Sequence, residues 1–461
     1  MKKLIASILV TIMVLSLCAC APAGEEEKPQ GLQVGFGTAD MTPKYSVGLA
    51  GYADSDTRRS EGVVDKIYIS CLAFTEGEET ILIYTMDLGA CNETIANMFR
   101  GEVAAATGVA KEKIFCSATH NHSAPAVDKA DPDNGRWVLE TFVPGAVKAA
   151  QDAMADRASA TILTAQESVE KMTFVRHYKK VDGSYAGSNF GTFGDVPIED
   201  YAVEADDRMT LVKFDRADDK GDILLVNWAA HVDQGNALGR NNIASGYVGP
   251  LRDKLAADTG MKVFFVTGAS GNLNPDSRIT ADMHNLNPKA YGEKLAESAV
   301  AILPKLKTIE GSGIQFTRYN FEAEIDHSWD DLKEVAQKIW EMSQIDTGSA
   351  LALCREHNMS SYHQARVIVR RAAAGQTDTF PIYAFRVGGL GFISGHYEMF
   401  TESGRYIKDN SPFETTVLMT GNHGSIATAR AYDHCRYEAD SGSIAKGTAE
   451  KLAEKFVELL K

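Results

Sequence analysis

The chain has 461 residues, 44% of them hydrophobic and 8% aromatic, with ordinary Gly and Pro contents. This composition excludes disordered, collagen-like and coiled-coil proteins and indicates a globular fold. The net charge is −15 and no long basic run follows the N-terminus, which argues against nucleic acid as a partner, since binding phosphates requires clustered Lys and Arg. The sequence shows no evident obligate protein partner.

The N-terminus has the pattern of an export signal. Residues 1–3 supply positive charge, and Leu4–Leu17 is an apolar stretch too short to span a bilayer comfortably as a permanent helix. We therefore expect residues 1–19 to be a lipoprotein signal peptide rather than an uncleaved membrane helix.

The signal ends in a sequence that resembles the bacterial lipobox, in which a small residue precedes the cysteine that receives lipid. Cys20 fits better than Cys18, because Ala19 precedes Cys20 whereas the bulky Leu17 precedes Cys18. Residues 20–31 are polar and rich in helix breakers, which predicts a flexible tether. The expected location is the outer face of a bacterial cell membrane, with lipid on Cys20 as the anchor.

Five cysteines follow the tether, and none forms a Cys-x-x-Cys zinc motif. Their odd number excludes a complete set of pairs, although one or two disulfides are compatible with an exported protein. They are Cys71, Cys91, Cys116, Cys354 and Cys435.

Apolar runs rich in β-branched residues alternate with helical patterns along the chain, which predicts an α/β fold with a mixed sheet covered by helices. The clearest predicted strands are Ile67–Phe74, Thr80–Met86, Ile114–Ala118, Ile223–Ala229, Val263–Val266 and Ile382–Phe385. The predicted helices are Glu93–Ala106, Trp137–Ala155, Val248–Asp258, Pro288–Leu306, Asp330–Met342 and Ala445–Leu460. Residues from about 326 to 376 are mostly helical and polar, which is typical of an insertion or cap.

Two histidines follow the predicted strand Ile114–Ala118. His120 and His122 are separated by one residue, and in an extended chain such positions point to the same side. Both imidazoles can therefore face one pocket at the end of the strand, as metal ligands do. Such a pair is only moderately specific, and surface or core histidines are the alternative.

A third histidine has the same context. His231 follows the apolar run Ile223–Ala230, and ligand sites in α/β sheets gather beyond the carboxyl ends of strands. Imidazole suits zinc, and a catalytic zinc has three protein ligands and an open position. By itself, His231 would be interpreted as a half-buried histidine with satisfied hydrogen bonds.

A further apolar strand precedes a carboxylate. Residues 391–395 lead into a turn, and Glu398 then lies at the start of a predicted helix. A carboxylate there either binds a metal or stabilises the helix N-terminus.

Taken in order, these motifs resemble the neutral/alkaline, non-lysosomal ceramidases. The resemblance to the family's N-terminal zinc-amidase domain extends from about Gln33 to about Ser443, whereas the immunoglobulin-like C-terminal domain of typical members has no counterpart. It implies a single large catalytic domain over residues 32–461. The motifs are residues 34–43, Gly51–Ala53, Thr119–Ser123, His231, Gly268–Pro275, Glu398–Gly404 and Tyr437–Glu438.

The resemblance implies one Zn²⁺ per chain, ligated by His120, His231 and Glu398. His122 would lie beside the metal to handle protons or orient the substrate. Tyr437 matches an active-site tyrosine of the family that can donate a hydrogen bond to the developing oxyanion.

Three further positions carry roles by the same resemblance. Arg176, in the sequence Phe-Val-Arg-His-Tyr, looks similar to the family's substrate-facing arginine. The turn at Gly51 and Tyr52 would approach the substrate by its backbone.

The chain also departs from the family. The family's fourth zinc ligand is a tyrosine, and its position falls here on Ser425. Ser425, a nearby group such as His423 or His396, or water would complete the coordination. The glycine-rich turn has Asn272 and Asn274 where ceramidases carry Asp and Ser, which makes a serine nucleophile there unavailable and favours attack by zinc-bound water.

Asp87 follows the predicted strand Thr80–Met86. Metal-bound histidines commonly donate their second nitrogen to a carboxylate or carbonyl, so one hypothesis gives Asp87 that supporting role. The other hypothesis is a helix N-cap before Leu88.

We therefore expect a zinc-dependent amidohydrolase that cleaves a linear amide, with a small molecule or an N-acyl lipid such as ceramide as substrate. Zinc would lower the pKa of its bound water toward about 7 and polarise the carbonyl. The alternatives are a solute-binding lipoprotein and a non-catalytic or esterase-like member of the family.

Overall fold

The computed structural model describes most of the chain beyond the tether: residues 31–52, 57–127, 130–187, 196–217, 219–233, 235–275, 287–421, 424–436 and 438–461. The predicted signal peptide, Cys20 and the tether up to residue 30 lie outside the described residues, and so do His423 and Tyr437. Their roles stay predictions.

The strands are distributed along the described part of the chain. The strands are β1 (Gln33–Asp40), β2 (Gly62–Val63), β3 (Tyr68–Glu76), β4 (Glu79–Met86), β5 (Ile114–Ala118), β6 (Ala158–Ser168), β7 (Thr173–Val175), β8 (His177–Lys180), β9 (Tyr185–Gly187), β10 (Ile198–Tyr201), β11 (Arg208–Arg216), β12 (Ile223–Trp228), β13 (Asn242–Ile243), β14 (Lys262–Thr267), β15 (Leu273–Pro275), β16 (Lys307–Thr308), β17 (Ile314–Glu324), β18 (Thr377–Val387), β19 (Leu390–Gly395), β20 (Glu398–Met399), β21 (Thr415–Thr420) and β22 (Ser425–Ile426).

The helices cover the outer faces of the sheets. They are α1 (Glu93–Thr107), α2 (Pro132–Trp137), α3 (Val143–Ala155), α4 (Gly235–Leu238), α5 (Val248–Thr259), α6 (Pro288–Ile302), α7 (Lys333–Ser343), α8 (Thr347–Glu356), α9 (Tyr362–Ala373), α10 (Thr401–Asn410), α11 (Ala429–His434) and α12 (Thr448–Leu460). A π-helical turn, Val138–Phe142, separates α2 from α3 within the single predicted helix Trp137–Ala155.

A nine-stranded mixed sheet forms the centre, in the order β14-β12-β11-β6-β1-β3-β4-β5, with β16 added beside β6. The pairs β4 with β5 and β12 with β14 are parallel. Only two residue pairs, Gln33 with Ser159 and Val34 with Ala158, join β1 to β6. The sheet therefore consists of two halves with a short seam between them.

A second, four-stranded sheet in the order β17-β18-β19-β21 packs on one face of the first. The alternation along β3 shows the layering, because Ile69 and Cys71 face the helices whereas Leu72 and Phe74 face the second sheet. Helices α10 and α12 cover the far side of the second sheet. The predicted α/β class with a mixed sheet is confirmed, but a sheet rather than helices covers one face of that sheet.

The outer strands of the two halves approach each other at their carboxyl ends. The hydroxyl of Thr267, at the end of β14, donates to the carbonyl of Thr119 after β5 at 3.0 Å. The hydroxyl of Thr420, at the end of β21, reaches the carbonyl of Gly268 at 3.3 Å. Side-chain hydroxyls thus bring the ends of parallel strands from both sheets to one place.

Residues 326–376 contain the three helices α7, α8 and α9 and a small apolar cluster of their own. Among the described residues, no helix is both long and apolar enough to cross a membrane. The five cysteines predicted to follow the tether are all buried and have free thiols.

Phe115 tests the contact between the two sheets. It is fully buried, and its ring stacks on that of Phe385 with centroids 4.2 Å apart. We expect Phe115→Ala to lower the free energy of unfolding by about 3–5 kcal/mol, because truncation leaves a cavity between the sheets. Chemical denaturation measures this.

The matched control is Ile345→Ala, since Ile345 is 91% exposed. This change should alter the free energy of unfolding by less than about 0.5 kcal/mol. Equal effects of the two substitutions would contradict the packing described for Phe115.

Candidate functional site

His120 stands two residues beyond the end of β5, in a strained backbone conformation. Its φ of 63° lies in the left-handed region, which a non-glycine residue seldom adopts. The flanking amides hold it there, because the N–H of Thr119 bonds the carbonyl of Met86 and that of Asn121 bonds the carbonyl of Leu88, each at 2.9 Å. Such strain is concentrated at functional sites.

The imidazole of His120 is oriented by its own backbone partner. Nδ1 lies 2.9 Å from the carbonyl oxygen of Gly89. Because a carbonyl only accepts, Nδ1 carries the hydrogen, and in the neutral ring Nε2 presents a lone pair. That is the tautomer needed to bind a metal through Nε2.

His231 is held in the same way at the end of β12. Its Nδ1 lies 2.9 Å from the carbonyl oxygen of Ser270 and 3.0 Å from that of Leu273. Its backbone N–H also donates to Leu273, at 2.9 Å. The turn that follows β14 thus fixes both the backbone and the ring of His231, and it leaves Nε2 free.

Glu398 completes the group. Its Oε2 lies 3.5 Å from Nε2 of His120 and 3.8 Å from Nε2 of His231. The prediction that Glu398 starts a helix was wrong by three residues, because Glu398 lies in β20 and α10 begins at Thr401. The carboxylate is therefore directed by a strand pair rather than by a helix N-terminus.

These donors suit a zinc ion. One nitrogen from each of His120, His122 and His231 lies within 4.8 Å of the others. Two of the rings present Nε2 beside a carboxylate oxygen, and imidazole with carboxylate is a common ligand set of catalytic zinc. The residues thus fit the cofactor that the resemblance implies.

His122 lies beside this group. Its Nε2 is 3.1 Å from Nε2 of His120. Gly51, with φ of 105°, lies against the ring, since a Cβ at this position would be 2.6 Å from Cγ of His122. The backbone of Gly51 therefore packs directly on His122.

Tyr52 packs against the His122 ring and against two arginine side chains. Its ring meets the His122 ring edge-on at 5.3 Å, and its hydroxyl donates to the carbonyl of Asp233 at 2.6 Å. The guanidinium groups of Arg58 and Arg240 each lie 4.6 Å from the Tyr52 ring centroid. Arg58 also donates to the carbonyl of His122 at 2.5 Å.

The surroundings keep two of the imidazoles neutral. Burial, followed by the charges of His120, Arg176 and Arg58, lowers the pKa of His122 well below its ordinary value. Burial and Arg176 likewise lower the pKa of His231. A neutral ring is what metal ligation requires.

Arg176 is placed behind the histidines. It is 5% exposed, and its guanidinium donates to Glu438 at 2.6 Å and to the carbonyl of Gly271 at 2.7 Å. These contacts are with the protein, and the substrate-facing role that the resemblance implies stays a prediction.

Asp87 neither supports a metal-site histidine nor caps a helix. Its carboxylate accepts from Arg252 at 2.6 and 3.0 Å and from the backbone N–H of Tyr68 at 2.9 Å. The carbonyl of Gly89, rather than Asp87, receives Nδ1 of His120. The next helix begins at Glu93 and is capped by Asn92. Asp87 thus anchors α5 to the sheet through an ion pair.

Ser425 lies next to Glu398. The two residues are partners in the parallel pair of β20 and β22, and the N–H of Glu398 donates to the carbonyl of Gly424 at 3.0 Å. His396, the alternative fourth ligand, stacks its ring on Phe380 with centroids 5.4 Å apart.

Sequence reasoning missed the groups that support the ligands. The carbonyls of Gly89, Ser270 and Leu273 carry no side-chain signal, so only the structure reveals them. His177 and Glu438 form a buried pair at 2.6 Å although 261 residues separate them in the chain. In the sequence, the motif Tyr437–Glu438 was the one feature that pointed to Glu438 as part of this site.

Comparisons with known proteins identify a similar family and a similar fold. Residues 32–246 match the family described as neutral/alkaline non-lysosomal ceramidase, N-terminal. Neutral ceramidase from Pseudomonas aeruginosa has a similar fold, with a TM-score of 0.69 and 16% identity over 94% of this chain and 74% of that chain. A structure described as a ceramidase complexed with C2 gives a TM-score of 0.67 and 16% identity, over 94% and 75%. No curated protein matches significantly. The resemblance expected from the motifs is confirmed.

The two buried histidines can be tested by metal binding. We expect His120→Ala and His231→Ala each to weaken zinc binding by at least about 100-fold, because each removes one of few ligands. Competition with a chromophoric chelator measures the affinity. His327→Ala is the control, since His327 contacts Asp330 and Gly375 away from the site. Wild-type zinc affinity in either site variant would contradict the ligand assignment.

Gly51 tests the role of His122 without touching a ligand. The resemblance gives His122 a part in the reaction. We therefore expect Gly51→Ala to lower kcat/KM by about 100-fold, because its Cβ would displace the His122 ring and misplacing such a group costs about that much. Zinc affinity should not change. Steady-state kinetics and chelator competition measure the two quantities.

The matched control is Gly77→Ala. Gly77 has φ of 60° and open space around its missing Cβ, so this change carries the backbone cost of about 1–2 kcal/mol without a contact at the site. A comparable loss of activity in Gly77→Ala would show that stability rather than His122 explains the Gly51→Ala result.

Proposed function

We propose that this chain, in which residues 32–246 match the neutral/alkaline non-lysosomal ceramidase family, is a zinc-dependent hydrolase of a linear amide bond, with an N-acyl lipid such as ceramide as its substrate class. One observation carries the proposal. His120 and His231 each engage a backbone carbonyl through Nδ1 and present Nε2 beside the same oxygen of Glu398.

His120, His231 and Glu398 would hold the zinc. When bound there, zinc would polarise the scissile carbonyl and lower the pKa of a water molecule toward about 7. The protein's part would be to fix the two imidazoles in advance, through the carbonyls of Gly89, Ser270 and Leu273.

His122 would handle the proton. It lies 3.1 Å from His120 and is held by the backbone of Gly51. From that position its imidazole can accept a proton from the attacking water and return it to the leaving amine. Tyr437, whose role rests on the resemblance alone, would donate to the developing oxyanion.

Water is the proposed nucleophile because the glycine-rich turn offers no hydroxyl at the two positions where the chain departs from the family. Asn272 is fully buried, its side-chain oxygen accepts from the N–H of Thr401, and its amide donates to Glu402. Asn274 is also fully buried, and its side-chain oxygen accepts from Arg176 at 3.4 Å. Neither amide is a nucleophile.

Ser425 would leave an open position beside a bound zinc. Its side chain is much shorter than the tyrosine that the family has at this position, and it lies beside Glu398 in the strand pair. We propose that three protein ligands suffice and that the remaining position is open, as in other catalytic zinc sites.

The assay separates the candidate substrates. Protein loaded with one equivalent of zinc should release fatty acid from a short-chain ceramide, and a chelator should abolish this activity until zinc is restored. N-acyl amino acids and simple esters are assayed in parallel by chromatography of the products. His120→Ala should be inactive under the same conditions.

The alternative outcomes are informative. Hydrolysis of the esters alone would overturn the amide assignment. Stoichiometric zinc with ceramide binding but no turnover would identify a non-catalytic member. Ligand capture without zinc would indicate a solute-binding protein.

A further inference from the structure

A cluster of buried and half-buried polar and charged side chains lies close to the candidate metal site, since the charge of its member Arg176 acts on His122 and His231. It joins β7 and β8, the start of α10, α11 and the segment after α11. Its members are Arg176, His177, Glu402, Arg430 and Glu438. None of these residues belongs to the ligand set, so their function needs a separate explanation.

Glu438 is the centre of the cluster. It is 3% exposed, and its two carboxylate oxygens contact Arg176 Nε and His177 Nε2, each at 2.6 Å. Burial raises the pKa of Glu438, but these two partners outweigh it and lower the pKa to about 2. Glu438 is therefore a buried anion.

The hydrogen-bond partners of His177 show which of its ring nitrogens donates and which accepts. Arg430 Nη2 lies 3.0 Å from Nδ1 of His177, and a guanidinium only donates, so Nδ1 accepts and Nε2 carries the hydrogen given to Glu438. Arg430 also donates to Glu402 at 2.5 Å.

Arg176 connects Glu438 to the turn after β14. Its guanidinium donates to the carbonyl of Gly271 at 2.7 Å, and its backbone N–H donates to the carbonyl of Asn272 at 3.0 Å. It also reaches the side-chain oxygen of Asn274 at 3.4 Å. Arg176 thus holds this turn through both its backbone and its side chain.

The same turn contacts two of the proposed ligands. The carbonyls of Ser270 and Leu273 orient His231, and the N–H of Gly271 donates to Met399, the residue after Glu398, at 2.9 Å. A Cβ on Gly271 would lie 2.8 Å from the carbonyl oxygen of Glu398. A shift of the turn would therefore move both ligands.

We propose that Glu438 is a positioning residue. Its charge holds the Arg176 guanidinium on the turn after β14. That turn fixes the tautomer of His231 and the position of Glu398. This inference rests on the proposed zinc site. It assigns Arg176 to the same supporting task rather than to the substrate.

The test is Glu438→Gln, which keeps the shape and an acceptor oxygen but removes the charge. We expect zinc affinity to fall by about 10- to 100-fold, as happens when a partner of a metal-bound histidine is altered. Chelator competition measures the affinity. In the Co²⁺-loaded protein we expect the visible absorption bands to shift, because the ligand geometry changes.

Kinetics on saturating zinc separate positioning from substrate binding. With an amide substrate, Glu438→Gln and Arg176→Lys should both lower kcat and leave KM near the wild-type value. Lysine keeps the positive charge beside Glu438 but cannot reach the turn with two separate donors.

Asp156→Asn is the matched control. Asp156 also pairs with a buried arginine, Arg216, at 2.6 Å, and it follows the end of α3, where it contacts Lys262 at the start of β14, away from the site. This change should reduce the thermal unfolding midpoint without altering zinc affinity or the Co²⁺ spectrum.

Each result either supports or contradicts the positioning role of Glu438. If Glu438→Gln folds, by circular dichroism, and keeps the zinc affinity and Co²⁺ spectrum of the wild type, the proposal is overturned. If it does not fold, Arg176→Lys decides in the same way. Weakened zinc binding in a protein that hydrolyses none of the substrates would support the positioning role while the proposed hydrolase function fails.

Discussion

The site depends on hydrogen bonds from imidazole nitrogens to backbone carbonyls. His120 donates to Gly89, and His231 donates to Ser270 and Leu273. These bonds select the tautomer and the direction of each ring, so the placement of the two Nε2 atoms is only as precise as the loops that supply the carbonyls. The surrounding sheets hold those loops in place.

The ends of parallel strands supply that rigidity. Hydroxyls of Thr267 and Thr420 bond the carbonyls of Thr119 and Gly268, and they link the two halves of the large sheet to the second sheet. The fixed amides on either side of His120 then maintain its positive φ, a strain that a free loop would release. The seam between β1 and β6 has only two residue pairs, so these links add contacts between the two halves of the sheet.

Periodicity predicted much of the fold, because strands such as β4 and β12 are long apolar runs whose signal is local. It did not predict that the second sheet forms a separate layer. Buried and exposed residues alternate only weakly along β17, and its pairing with β18 joins residues that are far apart in the sequence. The ligand candidates were found from strand-end histidines and the resemblance. Asp87 was misjudged because its partner, Arg252, is 165 residues away, and such ion pairs leave no pattern in sequence.

The segment that carries Glu438 is held from two sides. On one side Glu438 meets Arg176 and His177. On the other, Arg371, at the end of α9 and 1% exposed, donates to the carbonyls of Ala439 and Gly442 and pairs with Asp326. A buried guanidinium without these acceptors would be costly. The helices of residues 326–376 therefore hold the same segment that carries Glu438, which the proposal makes a support of the zinc site.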